Sequence, residues 1–556
     1  MRANTLVHHL RRFLQPERIA SGALAALVLL PLLAIVWASV RSALHPGVWD
    51  VLVSAPVLWP AWRMTLWTGL VSTLAAYGLC AWFLSYAFGQ PIWVRCVRTL
   101  GPMLAVPHAA FAVGLVFLIA PSGWLLRAVS PWLTGFNQPP AWLTSQDPWG
   151  LGMIAVLVFK ELPFLLWGIA TQLQRDDAGP RLVQELRVAQ TMGYARRAAF
   201  WRVVWPQLVP RLRWPLWAVL AYNLSVVDIA QIAGPSNPST LSVLAWQWLQ
   251  DSDESTNAQG AIAGWLLAAT VGACAVVLVV ASSLAATPRF DGSRGVDARA
   301  NSFSARWGGY VLFALCAVYG LILLALLVGS VSGVWPFPQW WPSTLSLQAW
   351  DSVASSSATL RTTIVLALCS TMLALLWAVA WLELAPKAWD RAMRWPLVVP
   401  LLLPSVLWVV GLHSVALQWG ASASWGALIA AHTLAVLPYV VITLSPAYFG
   451  FDQRYAHISA SLGRSYTAFL WRVKWPMLRA SVYAAAAVGV AVSVAQYLPT
   501  LYVGEGRFST VTTEAVTLAS GGQRALVAAY AWLQWLIPVV GFSAAAWLGK
   551  PRQFRP

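Results

Sequence analysis

The chain has 556 residues, of which 59% are hydrophobic and only 10% charged, with a net charge of +17. A soluble domain carries about 25% charged residues, so the composition excludes one and indicates a polytopic membrane protein. It also excludes a nucleic-acid reading of the charge: 32 of the 36 basic residues are arginine, and most lie in short loops between apolar runs, where they set topology.

Arg2, Arg11 and Arg12 precede an apolar run from Ile19 to Val40, which is too long for a signal-peptide core and reads as an uncleaved first membrane helix. Crossing the hydrocarbon takes about 20 apolar residues in a helix. Runs of that kind fall near 19–40, 64–88, 98–120, 150–173, 212–232 and 258–286, then near 307–331, 360–384, 395–418, 424–448, 478–499 and 523–548. The expected fold is therefore an all-α polytopic membrane protein of about twelve transmembrane helices, in two tandem six-helix bundles.

Alternate loops are basic. Arg95 lies in the first such loop, with Arg98 at its edge, Arg175, Arg181, Arg187, Arg196, Arg197, Arg202 and Arg211 in the second, and Arg289, Arg294, Arg299 and Arg306 in the linker. Lys387, Arg391 and Arg394, then Arg454, Arg464, Arg472 and Lys474, then Lys550, Arg552 and Arg555 continue the pattern. The intervening loops are sparse or acidic, as at Asp251, Asp253 and Glu254, so both termini are expected in the cytosol. The polar linker 287–306 divides a first half, 1–286, from a second, 307–556. The five cysteines have no spacing that suggests a metal site or disulfide framework.

The halves repeat one another. FWRVVWPQL at Phe200–Leu208 returns as LWRVKWPML at Leu470–Leu478, an offset of 270 residues. Gly193 lies 13 residues before Pro206, as Gly463 does before Pro476. Pro107 and Gly114 recur as Pro404 and Gly411, Ser72-Thr73 as Ser370-Thr371, and Ser225 to Asp228 as Ser493 to Gln496. An even number of crossings between copies makes this a parallel duplication. In the loop 174–211, Leu182, Leu186 and Ala189 share one helical face, Gly193 breaks the helix, and 195–205 forms a second piece. Pro206 and Pro210 lead into the next membrane helix.

This glycine–proline spacing, with F/L-W-R-V between, resembles the cytosolic loop of type I ABC importer permeases, the inner-membrane components of binding-protein-dependent transport systems. The one-chain duplication resembles the importers of ferric iron and of thiamine. The resemblance implies two loops that dock on two copies of a cytosolic ATPase subunit, and a separate solute-binding protein. Carried over by position, the docking residues are Arg187, Ala189, Gly193, Trp201, Arg202 and Pro206, and His457, Ser459, Gly463, Trp471, Arg472 and Pro476. Arg187-Val188-Ala189 and His457-Ile458-Ser459 stand where the family has Glu-Ala-Ala, so both copies lack the acidic residue; Glu185 lies two positions early. Trp201 and Trp471 suit either an interface anchor or packing within the loop.

A P-loop requires Lys-Ser or Lys-Thr after its glycines. The four lysines, Lys160, Lys387, Lys474 and Lys550, precede Glu, Ala, Trp and Pro, so ATP is expected to be handled by another subunit. Asn223, Ser225 and Asp228, with Ser493 and Gln496, are candidates to line a translocation path; Asp228 is equally compatible with an interfacial position. Lys160-Glu161 reads as a locally neutralised pair, His413 and His432 as hydrogen-bonded bundle residues, and Pro107 and Pro404 as kinks. No catalytic constellation, metal-ligand spacing or cofactor motif emerges. Two rival classes remain: an ion-coupled secondary transporter, disfavoured by a core poor in buried charge, and a membrane enzyme acting on lipids, disfavoured by the lack of an acid–base cluster.

Overall fold

The computed structural model describes residues 16–44, 47–174, 178–285 and 301–550. The basic N-terminus, Arg175, most of the linker 287–306, and Arg552 and Arg555 lie outside the described residues.

In chain order the helices are α1 Pro16–Ala43, α2 Val48–Ser54, α3 Leu58–Ala87, α4 Pro91–Leu104, α5 His108–Ile119, α6 Trp124–Val129, α7 Leu151–Gln174, α8 Ala178–Thr191, α9 Arg196–Ala199, α10 Trp205–Ser225, α11 Asp228–Ala233, α12 Leu241–Leu249 and α13 Glu254–Ala285. The chain continues with α14 Asn301–Ser330, α15 Gln348–Ser355, α16 Ser357–Leu384, α17 Lys387–Leu402, α18 Ser405–Gln418, α19 Trp425–Phe449, α20 Arg454–Ser461, α21 Tyr466–Phe469, α22 Trp475–Val494, α23 Leu498–Gly504, α24 Val511–Thr517 and α25 Arg524–Gly549. No strand occurs among the described residues; Ser332 and Leu345 form one isolated bridge.

Ten helices among the described residues are long and apolar enough to cross a membrane, and α17 with α18 makes an eleventh if the bent pair is one span. This falls short of the twelve expected. The run near 212–232 became α10, a helix of 21 residues that carries Arg211 and Arg213 and three prolines, and its composition does not reach that of a lipid-embedded span. The expected kinks are complete breaks: α4 gives way to α5 at Pro107, and α17 to α18 at Pro404, because proline cannot donate and restricts the residue before it.

Contacts gather the chain into two units that do not follow its order. One comprises Met1–Arg41, Ser356–Glu514 and Leu533–Pro556; the other comprises Ser42–Ser355 and Ala515–Trp532. In the first unit α1 packs into the later helices. Val28 joins Trp377, Trp381, Leu437 and Leu444 in one buried cluster, and the Trp377 indole N–H donates to the Leu24 carbonyl at 2.9 Å. In the second unit α14 packs on α5, and the Tyr319 hydroxyl donates to the Phe159 carbonyl at 3.1 Å. The repeated glycines explain both placements. A Cβ on Gly114 would lie 2.5 Å from the Ile322 methyl of α14, and one on Gly411 would strike the Ile35 carbonyl of α1. Each copy's third span thus keeps a bare backbone where the other copy's first helix crosses.

Candidate functional site: the paired loops

The two loops share one local architecture. In the first, α8 ends at Thr191 and Gly193 takes φ +90°; in the second, α20 ends at Ser461 and Gly463 takes φ +69°. The hydrogen bonds match position for position. Gly193 N–H donates to Gln190 O and Tyr194 N–H to Ala189 O; Gly463 N–H donates to Ala460 O and Arg464 N–H to Ser459 O. This is a helix cap closed by a left-handed glycine. A short helix follows, then one π turn, Phe200–Val204 or Leu470–Lys474, which runs directly into α10 or α22. The π turn has a cause in the sequence. Pro206 and Pro476 lack the N–H that Arg202 O and Arg472 O would accept, and the preceding tryptophan instead bonds five residues back, Trp205 N–H to Phe200 O and Trp475 N–H to Leu470 O. The prolines therefore widen a continuous helix rather than begin a new one.

The capped frame decides which side chains face out. Leu182, Leu186 and Ala189 are buried in α8, and Ser459 is buried in α20, so Ala189 and Ser459 sit on the inner face of their loops. Val188 and Met192, one turn apart, are 58% and 68% exposed; Ile458 and Leu462 at the matching positions are 55% and 72% exposed. Trp201 is 38% exposed and Trp471 69%. Each loop thus presents one aliphatic, one longer apolar side chain and one indole. Arg187, His457, Arg472 and Pro476 are exposed, while Arg202 and Pro206 are half-buried and Arg202 lies over the Tyr194 ring at 5.5 Å.

Beneath the surface the copies differ. Glu185 is committed to its own loop: its carboxylate accepts from Gln207 Nε2 at 2.7 Å and Arg181 Nε at 2.9 Å. The Gln207 amide, with the Arg181 guanidinium, holds that carboxyl below the ordinary value. Arg196 donates to the Phe88 carbonyl, and burial lowers its pKa; Arg197 stacks on Tyr86 at 4.5 Å. The second loop rests on an ion pair that sequence reading missed. Lys474 Nζ donates to Glu383 Oε2 at 2.8 Å, Tyr466 and Trp475 donate to the same carboxylate, and both ionic side chains are more than nine-tenths buried. The Tyr448 and Phe451 rings flank the ammonium. At the corresponding repeat positions the first copy has Val204 and Ser85.

The polar residues assigned to a path fall in separate units. In one, Asn223 Nδ2 donates to Thr73 Oγ1 at 3.1 Å, Ser225 bonds its own helix, and Asp228 begins α11 within electrostatic reach of His108. In the other, Ser493 bonds Ser370 at 3.1 Å and His432 at 2.8 Å, and Gln496 bonds its own helix. His432 also bonds Thr500 at 3.0 Å, and His413 bonds Glu505 at 2.9 Å, as expected of bundle histidines. Lys160 and Glu161 lie buried side by side within reach of one another's charge, but their hydrogen bonds go elsewhere. Lys160 Nζ donates to Val106 O at 2.6 Å and Met103 O at 3.3 Å, carbonyls at the α4–α5 break, while Glu161 meets His108 at 3.1 Å. Both side chains are buried in α7, where two carbonyls at the break accept from the ammonium. Among the described residues no group of three or more metal-ligating side chains occurs.

No protein-family model matches the chain. It is 33% identical over 540 residues to the inner membrane ABC transporter permease protein YnjC of Escherichia coli (strain K12), covering 96% of this chain and 97% of that one. With its apolar helices and its duplicated loops, the chain belongs to the inner-membrane ABC transporter permeases and is a multi-pass subunit of that membrane.

Proposed function

We propose that this chain is the membrane-spanning subunit of an ATP-driven importer, and that the loops 187–206 and 457–476 each dock one copy of a cytosolic ATPase. The observation that carries this reading is the exposure of Val188 and Met192, matched by that of Ile458 and Leu462, with Trp201 and Trp471 also exposed, to different degrees, on the same frame. Exposed apolar side chains that water would otherwise disfavour, kept twice at the same positions, fit two equivalent partner contacts. Continuous helices run from the π turns into α10 and α22, so a push on either loop is delivered along the helix that follows it. ATP then drives transport by favouring one bundle arrangement over another. A separate binding protein delivers solute on the far side. Asn223, Ser225 and Asp228, with Ser493 and Gln496, contribute to the path. Counting α10 as a crossing gives twelve spans, two six-helix halves at 1–286 and 307–556, and both termini in the cytosol.

The test is co-purification from the native membrane with variants of the exposed side chains. An ATPase retained by wild type and lost from a Leu462→Ser, Trp471→Ala variant of unchanged thermal stability supports the reading. Retention of the ATPase by that variant refutes it. Cysteines placed at Arg197 and Arg472 should both react with an impermeant thiol reagent only from the cytosolic side; reaction from opposite sides excludes the duplication as described.

A further inference from the structure

A cavity of about 980 Å³ opens in the second unit, at the end of its helices opposite the loop at Gly193. Its lining includes the apolar Phe117 and Ile232 and the polar Ser122, Gln146, Gln348 and Ser352. Two arginines line it, Arg127 and Arg524, and no aspartate or glutamate does. Among the described residues neither guanidinium forms an ion pair with a carboxylate.

The two arginines are placed differently. Arg127 is buried and spends its donors on backbone carbonyls: Nε on Ser122 O at 2.8 Å, Nη1 on Pro336 O and Gln339 O at 2.8 Å, and Nη2 on Trp335 O at 3.1 Å. It lies over the Trp335 and Phe337 rings. Those contacts hold the loop 335–339 in place but bring no carboxylate to the guanidinium. Arg524 is exposed and donates to Ser122 Oγ at 2.7 Å through one nitrogen only, leaving the rest of its guanidinium free for a ligand. Its position serves neither its helix nor topology. It occupies the first turn of α25, where a cation opposes the helix dipole, and on the topology proposed above this end faces outward, where basic residues are disfavoured. Two like charges are thus gathered at one concave, hydroxyl-lined wall without a counter-charge.

We propose that this cavity receives a small anionic solute, bearing a carboxylate, phosphate or sulfate group, with Arg524 as the direct contact and Arg127 as a fixed source of positive potential. The volume of about 980 Å³ lies within the range of small-molecule pockets, about 300–1,000 Å³, and a lining that mixes apolar surface with a few polar groups is their usual build. An acidic side chain of a partner protein would need only a flat basic patch. The inference rests on the importer reading and adds the solute's charge class to it.

Trp124 and Trp335 line the cavity and report on its contents. The full chain in nanodiscs is titrated with phosphate, sulfate and citrate at constant ionic strength, following tryptophan fluorescence, with tetramethylammonium as the cationic control. The expected result is saturable quenching by at least one of these anions and none by tetramethylammonium. Arg524→Gln should weaken that binding at least tenfold. Arg361→Gln, which removes an arginine that does not line the cavity, should leave it unchanged. Absence of saturable binding by all three anions overturns the proposal, as does equal affinity in Arg524→Gln or an equal loss in Arg361→Gln. No ATPase is present in this measurement, so an anion-blind permease that still co-purifies with its ATPase would sink the solute class alone.

Discussion

Trp471 offers the sharpest test of how the loops work. A tryptophan side chain buries up to about 250 Å² when fully enclosed. Trp471 is 69% exposed, so docking can remove at most about 170 Å² of it from water; Trp201, 38% exposed, offers about 95 Å². At about 25 cal/mol per Å² these areas correspond to ceilings of about 4 and about 2.4 kcal/mol. A tenfold change in Kd is about 1.4 kcal/mol, so Trp471→Ala should weaken ATPase docking by up to roughly 1,000-fold and Trp201→Ala by up to roughly 50-fold. The second loop is expected to dominate, because its indole starts further out in water. The assay is an equilibrium titration of the co-purifying ATPase subunit, fluorescently labelled, against each permease variant in nanodiscs, with thermal stability measured alongside. An unchanged Kd for Trp471→Ala, or a larger effect from Trp201→Ala, refutes the reasoning.

Three further outcomes are expected. Removing one partner of the buried Lys474–Glu383 pair strands the other, so Lys474→Met alone should cost about 3–5 kcal/mol; Lys474→Met with Glu383→Gln should cost less than the sum of the single changes, and strict additivity in denaturation of the detergent-solubilised chain would dismiss the pair. Nothing lies within 4 Å of a Cβ built on Gly193 or Gly463, so the cost of Gly→Ala at each is the left-handed backbone alone, about 1–2 kcal/mol, read by hydrogen exchange of the loop amides. Glu185 has a lowered pKa in the folded loop, so its stabilisation is complete above the ordinary carboxylate pKa and is lost as pH falls through the lower folded value. Protection of the segment 178–207 should fall on acidification over that window in wild type but not in Glu185→Gln; identical profiles would rule the carboxylate out.

The sequence by itself determined the membrane class, the position of nearly every apolar helix, the repeated motifs and the location of the two loops. These properties are local. Hydropathy is summed along a run, proline breaks or widens its own turn, and a left-handed glycine caps its own helix, as Gly193 and Gly463 do. Only the tertiary structure decided that α1 packs with 356–514 and α14 with the earlier helices, since Gly114 and Gly411 show a need for close approach without naming the helix that approaches. It alone paired Lys474 with Glu383 across 91 positions and turned Lys160 and Glu161, neighbours in sequence, toward different partners. It also turned Ala189 inward and Val188 outward, a choice that one residue's rotation of about 100° makes and that depends on what packs behind the helix. Burial and charge pairing are properties of distant segments brought together, and the linear order of residues does not contain those distances.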